Sequence, residues 1–139
     1  MTDEGGVMNY EFSDPEDWVV EENQQDLKER TKTYALRIIR LYGALPGTTE
    51  AQVIGKQLLR SGTSVGANYR EAFRARSTAE FIAKCGVCLQ ELEETTYWLE
   101  LLVDAGITAK SKLVDLKDET NQFMAIFATI SKRAKSRLS

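Results

Sequence analysis

The stretch GTSVG, residues 62–66, fits two patterns that imply different chemistry. Read as G-x-S-x-G, it is the nucleophile elbow of a hydrolase, with Ser64 as the attacking group. That elbow requires a strand, a sharp turn and a histidine base, but this chain has no histidine and places the motif within a helical pattern. Read as G-x-x-x-G, Gly62 and Gly66 let two helices approach closely. We favour close packing, with a local distortion that binds an anion as the alternative.

The packing interpretation also predicts which helix the glycines contact. Each glycine costs about 1 kcal/mol relative to alanine in a helix interior, and close contact has to offset that cost. If the second and third helices turn near residues 75–76, Gly62 faces residues 91–92 and Gly66 faces residues 87–88. We therefore expect both glycines to lie against the third helix.

Cys85 and Cys88 form a C-x-x-C pair, a spacing found in redox and zinc sites. A redox pair lies at a helix N-terminus in a thioredoxin-like sheet, where its thiol pKa is lowered. Here the pair lies two turns into a helix, on the apolar stripe, and two cysteines alone do not complete a usual zinc site. We expect both cysteines to pack in the core, with a redox or metal role as the alternative.

The stretch ELEETTYWLE, residues 91–100, contains four carboxylates, which in helical bundles can hold metal ions. Such sites draw carboxylates from several helices and include histidine, so we expect no metal. The expected register instead places Arg60 against Glu93 and near Glu94, and an Arg60 far from Glu91, Glu93 and Glu94 would contradict it. We predict an interhelical ion pair that sets register more than stability. Further polar positions on the second helix are Asn68 and Glu71.

Four segments carry apolar residues at helical spacing, and none of useful length alternates as a strand does. Their stripes begin at Leu27, Ile54, Phe81 and Leu113. Capping-box patterns open the second segment at Thr49 and the third at Ser77. Short connections favour antiparallel neighbours. The sequence therefore predicts an all-α fold, an antiparallel up-down-up-down four-helix bundle.

Charge divides the chain into two parts. Residues 1–26 carry nine acids and no bases, whereas residues 27–139 carry eighteen bases and twelve acids. The formal net charge of −3 thus conceals a basic body. We predict an acidic N-terminal segment over 1–26 and the four-helix bundle over 27–139. Residues 13–17 are typical of a helix start, which begins either a short extra helix holding Trp18 or a long extension of the first helix.

The composition is typical of a soluble protein, with 42% hydrophobic and 28% charged residues. No apolar run approaches the roughly 20 residues of a membrane span, and the acidic start lacks the apolar region of a signal peptide. We expect a cytoplasmic protein without a membrane partner. The lack of histidine removes Ser-His-Asp and Cys-His catalysis, and no convergent titratable groups stand out. We therefore expect no enzymatic activity and no cofactor.

Residues 57–102 resemble the four-helix bundle proteins related to the intervening-sequence proteins of bacterial ribosomal RNA genes. The family pattern falls on Gln57, Leu58, Arg60, Ser64, Val65, Asn68, Glu71, Ala72, Arg76, Ser77, Glu80, Phe81, Lys84, Glu91, Glu94 and Thr95. Residues 30–46 also look like the family, and the fourth helix matches weakly. The resemblance implies a bundle that assembles as a homopentamer, with no established activity. Distant relatives, the accessory proteins of diversity-generating retroelements, bind a reverse transcriptase and nucleic acid through basic surfaces.

Ten bases should converge at one end of such a bundle, because the start of helix one, the turn between helices two and three, and the end of helix four share that end. They are Lys28, Arg30, Lys32, Arg70, Arg74, Arg76, Lys132, Arg133, Lys135 and Arg137. A cluster of this kind attracts phosphates without reading sequence, although compensation of helix dipoles is an alternative explanation. We predict a non-enzymatic oligomeric scaffold that contacts RNA, DNA or a nucleic-acid enzyme through this end. A protein-binding adaptor with no nucleic-acid role is the alternative.

Two further expectations concern assembly and the acidic segment. Apolar residues outside the main stripes support a pentamer or another cyclic oligomer, and they are Ile82, Leu89, Trp98, Val103, Met124 and Ile126. The acidic segment joins the bundle at the basic end, and residues 18–20 supply an apolar anchor. We expect the segment to mask the basic end as a phosphate mimic. A solubilising tail is the alternative.

Overall fold

The computed structural model describes residues 21–138, and this part of the chain is helical, without strands. Its helices are α1 (Glu21–Gly43), α2 (Thr49–Phe73), α3 (Thr78–Asp104) and α4 (Val114–Ser136), with a 3-10 turn at Lys110–Lys112 before α4. The predicted all-α class with four helices is confirmed. The predicted helix start at 13–17 and the apolar anchor at 18–20 lie outside the described residues.

Local sequence signals set the helix ends. The Thr48 side chain accepts a hydrogen bond from the backbone N–H of Ala51, and the Ser77 side chain accepts one from Glu80, so these two residues cap α2 and α3. The cap of α2 is thus one residue earlier than the predicted Thr49. After α3 the chain turns at Gly106, whose φ of 73° lies in the left-handed region that glycine adopts without strain.

One apolar core runs between the four helices and contains the predicted stripes. The largest fully buried side chains include Tyr34, Leu58, Leu92, Phe123 and Phe127. The rings of Tyr34 and Phe123 meet edge to face, with centroids 5.2 Å apart. The core therefore joins α1, α2, α3 and α4 in one four-helix bundle.

Two hydroxyl pairs cross this core. The Tyr34 hydroxyl lies 2.6 Å from Oγ1 of Thr120, and the Ser61 hydroxyl lies 2.8 Å from Oγ1 of Thr95. Each threonine hydroxyl also lies within hydrogen-bond distance of a backbone carbonyl of its helix, at Leu116 and at Glu91. Either hydroxyl of each pair can donate to the other, so both pairs are satisfied and favour one register.

The helix glycines lie against α1, so the predicted contact of Gly62 and Gly66 with α3 is wrong. A Cβ added at Gly62 would lie 2.8 Å from Cγ1 of Ile38, and one added at Gly66 would lie 3.1 Å from Oγ1 of Thr31. Gly55, which lies outside the G-x-x-x-G pattern, extends this contact toward the end of α1. The glycines let the backbones of α1 and α2 approach closely, as the G-x-x-x-G pattern indicates.

Helix rotation explains the error. Ser61 and Val65, one position before each glycine, face α3: Ser61 bonds to Thr95, and the thiol of Cys88 donates to the Val65 carbonyl at 3.6 Å. One residue turns an α-helix by about 100°, which carries the next position from α3 to α1.

Contacts between sequential helices follow a consistent order. Along α2 and α3, Arg60 bonds to Glu91, whereas Glu71, further along α2, bonds to the earlier residue Lys84. Along α1 and α2, Ile38 lies beside Gly62, and the earlier Thr31 lies beside the later Gly66. Residue numbers fall on one helix as they rise on its neighbour.

Within residues 21–138, no helix has the length and apolar character needed to cross a membrane.

Candidate nucleic-acid interface

Two of the three predicted basic groups meet where α1 begins and α2 ends. Nζ of Lys28 lies 3.8 Å from the centroid of the Phe73 ring, a cation–π contact between the first turns of α1 and the last residue of α2. Lys32 follows one turn later on α1, and Arg70 precedes Phe73 by three residues. The turn beyond α2 carries Arg74 and Arg76.

Ring and hydroxyl contacts relate the third group, on α4, to the same region. Tyr34 of α1 contacts Thr120, and Tyr69 of α2 contacts Phe127, whose ring centroid is 5.7 Å from that of Tyr69. Tyr69 is four residues from the end of α2 at Phe73. The bases of α4 follow Phe127 by five to ten residues.

Most of the ten predicted bases are open to solvent. Seven are exposed, namely Lys32, Arg70, Arg74, Arg76, Lys132, Lys135 and Arg137. Six of these seven, all except Arg137, make no ion pair with any residue of the described chain. Lys28, Arg30 and Arg133 are half-buried. Unpaired exposed cations remain available to an anionic ligand.

Arg30 does not belong with the unpaired bases, which corrects the sequence-based set. Its Nη2 bonds to Glu119 at 2.9 Å and to the side-chain oxygen of Gln122 at 3.1 Å, and its guanidinium lies 5.0 Å from the centroid of the Phe123 ring. Two residues of helix separate Arg30 from Lys28, a rotation of about 200° that turns it from α2 toward α4. Glu119 neutralises its charge.

The ion pair expected between α2 and α3 is present. Arg60 bonds to Glu91, with Nη1 and Oε1 3.1 Å apart, and its other terminal nitrogen bonds to Glu94. Glu93, expected to face Arg60, is exposed. Glu91 and Glu94 are three residues apart and therefore share the face that α3 turns to α2.

The other two polar positions of α2 have separate structural roles. The Asn68 side chain donates to the carbonyl of Ser64 in its own helix, at 2.9 Å. Glu71 pairs with Lys84 of α3, at 2.6 Å, and this pairing lowers the pKa of the carboxyl and raises that of the amine. Glu71 is exposed and Lys84 is only partly buried, so the contribution of this pair to stability is small.

The motifs that suggested chemistry are structural in the folded chain. GTSVG lies in the middle of α2, where the Ser64 hydroxyl donates to the Arg60 carbonyl, so the strand-turn-helix of a nucleophile elbow is absent there.

Cys85 and Cys88 are buried free thiols. Burial raises the pKa of Cys88 to about 12 and that of Cys85 further, which leaves very little thiolate at neutral pH. Residues 21–138 bring together no three side chains suited to hold a metal ion.

The six apolar residues expected to exceed the core mostly belong to it. Ile82, Leu89, Trp98, Val103, Met124 and Ile126 are half-buried and pack against the main cluster. The exposed large hydrophobic residues are instead Leu36, Ile39, Val53, Tyr97, Val114 and Leu138. Sequence periodicity did not separate the two sets, because a wide core face extends over the flanks of each stripe.

The fold defines a class, small four-helix bundle proteins. A family model described as 23S rRNA-intervening sequence protein matches residues 23–129, and the chain belongs to this family. A solved structure from Bacteroides thetaiotaomicron, described as a protein with unknown function from the S23 ribosomal protein family, is 37% identical. Its TM-score is 0.74, and the match covers 78% of this chain and 97% of that chain. A comparison with curated proteins finds no match.

Proposed function

We propose that the protein is a non-enzymatic oligomeric scaffold whose basic end contacts the phosphate backbone of RNA or DNA. The basic end comprises nine of the ten predicted bases, all except Arg30. The observation that carries the proposal is the set of six exposed bases without an ion-pair partner in the described chain. Because nucleic acid is the ligand, the proposal places the protein in the cytoplasm.

The proposal includes an antiparallel up-down-up-down bundle, which the order of contacts supports. Residue numbers change in opposite directions across the α1–α2 and α2–α3 interfaces. On α1, Tyr34 contacts Thr120 of α4, and Ile38, one turn later, contacts Gly62 of α2, so Thr120 and Gly62 lie at a similar level. Further along both helices, Phe127 of α4 contacts Tyr69 of α2. A rise along α4 therefore follows a rise along α2. Continued for two to three turns, this direction brings the end of α4 to the turn that holds Arg74 and Arg76.

The charge of the basic end favours a phosphate ligand over an uncharged one. Beside these nine bases, the same stretches of sequence contain five carboxylates, at positions 21, 22, 26, 29 and 80. Glu71 is not counted, because it pairs with Lys84. An excess of cations on one surface binds phosphates without sequence readout, and it releases counterions as it does so. We therefore expect weak, sequence-independent and salt-sensitive binding.

Oligomerisation would repeat this surface and strengthen binding. We propose a homopentamer, because exposed apolar side chains on α1, α2 and α3 offer contact surface between subunits, and they include Leu36, Ile39, Val53 and Tyr97. A cyclic assembly places every basic end on the same face, so several weak contacts act together. Light scattering should give about five times the chain mass of 15.7 kDa. A monomer mass at micromolar concentration would refute the assembly.

The domain division remains part of the proposal, with one refinement. Residues 27–139 form the bundle domain and residues 1–26 the acidic segment, but α1 begins at Glu21. The last six residues of the acidic segment are therefore part of the first helix.

Charge reversal tests the interface directly. Binding of a fluorescent oligonucleotide is measured at low salt for the full chain and for a variant with Arg74, Arg76, Lys132 and Lys135 changed to Glu. The control carries the same charge change at exposed bases elsewhere, Arg40, Lys56, Lys110 and Lys112. We expect the first variant to lose binding at least tenfold more than the control. Equal losses in the two variants would show that only net charge matters and would refute the basic end as the site.

The exposed Val53 and Tyr97 favour one alternative, an adaptor that binds only protein. Absorbance at 260 and 280 nm of protein purified at moderate salt and again after a high-salt wash distinguishes the two functions. Nucleic acid released by salt supports the scaffold, whereas a protein spectrum throughout favours the adaptor.

A further inference from the structure

We propose that residues 1–20 fold back onto the basic end and occupy it as an intramolecular anionic ligand. The docking stands on the charge and geometry of this chain, whereas the idea that it competes with nucleic acid rests on the proposed function. The segment would then set the threshold at which an external phosphate ligand gains access.

Charge complementarity is the first argument. Residues 1–20 contain six carboxylates and no base. The basic end has an excess of four bases over its own carboxylates, since Glu119 neutralises Arg30 and Lys84 neutralises Glu71. Six carboxylates are therefore sufficient to balance the excess.

The point of attachment is the second argument. Residue 20 joins α1 at Glu21, and Lys28, seven residues later, already contacts the end of α2 at Phe73. Seven helical residues span about 10 Å, and twenty extended residues reach at most about 70 Å, so all six carboxylates can reach the basic end. A short tether gives an effective concentration of order millimolar, at which a weak electrostatic contact is mostly formed.

Apolar surface at the basic end is the third argument. The ring of Phe73 is half-exposed beneath Lys28, and Leu138, just after α4, is 59% exposed. Residues 18–20, Trp-Val-Val, directly precede α1, the helix whose Lys28 contacts the ring of Phe73. An aromatic residue beside carboxylates suits a surface that combines cations with exposed apolar groups.

Fluorescence of Trp18 tests the docking without nucleic acid. The chain has two tryptophans, so Trp98→Phe leaves Trp18 as the only tryptophan, which is excited selectively over the tyrosines. If the segment docks, acrylamide quenching should be about threefold weaker at low salt than in 1 M salt, which screens the contact. Lys132→Glu with Lys135→Glu should remove that protection, whereas Lys110→Glu with Lys112→Glu should not. Strong quenching at every salt concentration, or protection that survives the first pair, would overturn the docking. Circular dichroism confirms that each variant is folded.

Oligonucleotide binding by the full-length chain tests the competition. In one variant the six carboxylates of residues 1–20 become amides. In the control the same change is made at six exposed acids elsewhere, Glu50, Glu93, Glu100, Asp104, Asp115 and Asp118. If the segment covers nine-tenths of the basic ends, its neutralisation should tighten binding about tenfold more than the control does. Equal affinities would overturn the competition. If no variant binds nucleic acid, the proposed function fails, and Trp18 quenching alone decides the docking.

Discussion

Replacing Gly62 by alanine tests the close approach of α1 and α2, because the new methyl group has no free space. An added Cβ would lie 2.8 Å from Cγ1 of Ile38 and 3.0 Å from its Cδ1 and Cγ2. Ile38 has no solvent exposure, so it cannot move aside into water. Alanine gains about 1 kcal/mol from helix propensity, whereas overpacking a core costs about 1–3 kcal/mol. Three short contacts place the cost at the upper end, so we expect a net loss of about 1–2 kcal/mol.

Gly86→Ala is the matched control. No atom lies within 4 Å of a Cβ added there, so the substitution should stabilise the protein by about 1 kcal/mol. Urea unfolding followed by circular dichroism at 222 nm gives both free energies, and both variants are measured at one protein concentration so that any assembly contributes equally. The two variants should therefore differ by about 2–3 kcal/mol.

A double-mutant cycle identifies the partner of Gly62. Ile38→Ala alone should cost about 2–5 kcal/mol through the cavity that it leaves. In the double variant the methyl group of residue 62 fills part of that cavity, so the combined loss should be smaller than the sum by at least about 1 kcal/mol. If Gly62→Ala stabilises the protein as much as Gly86→Ala does, or if the two losses simply add, α1 and α2 do not meet at this point and the geometric argument is wrong.

Three further measurements test the remaining features. Arg60→Ala should lower the free energy of unfolding by no more than about 1 kcal/mol, because 47% of its side chain is exposed and exposed ion pairs are weak; a loss above about 2 kcal/mol in urea would contradict this. Cys85 and Cys88 should resist a thiol reagent at pH 8 in the folded protein and react in urea, since burial raises their pKa values, that of Cys88 to about 12; rapid labelling of the folded protein would refute their burial. Stability should fall as pH rises above 10, because burial raises the pKa of Tyr34 from 10.0 to about 12 and the folded state retains the phenolic proton that the unfolded state loses. Tyr34→Phe should therefore make the decline between pH 10 and 12 shallower by up to about 1.4 kcal/mol per pH unit, and an unchanged slope would count against the shift.

Helical periodicity predicted the interior of α3 well. The stripe at positions 81, 85, 88, 92, 95, 99 and 102 is buried along its whole length. Capping residues also located the starts of α2 and α3 to within one residue. Both signals are local, because they depend on side chains within one or two turns of the same helix.

Rotation about a helix axis was less predictable. The position of the turn between α2 and α3 predicted the axial register of these helices, in which Arg60 lies close to Glu91. It did not determine which side of α2 faces α1. Gly62 was assigned to the wrong neighbouring helix for this reason, since a shift of one position turns a side chain by about 100°. The sequence left open where α1 begins, because EENQQD, residues 21–26, has no apolar residue to mark a stripe.

The interface between α1 and α4 differs in kind from the other interfaces of the bundle. It is sparse compared with those between sequential helices, and the bonds of Arg30 to Glu119 and of Tyr34 to Thr120 lie within about one turn of each other. A force that pulled α1 away from α4 would act on these two bonded pairs. Hydrogen bonds weaken steeply once they lengthen by about 1 Å, so both bonds would break over a small extension. The first and fourth helices would then separate, while α1 kept its contacts with the glycines of α2.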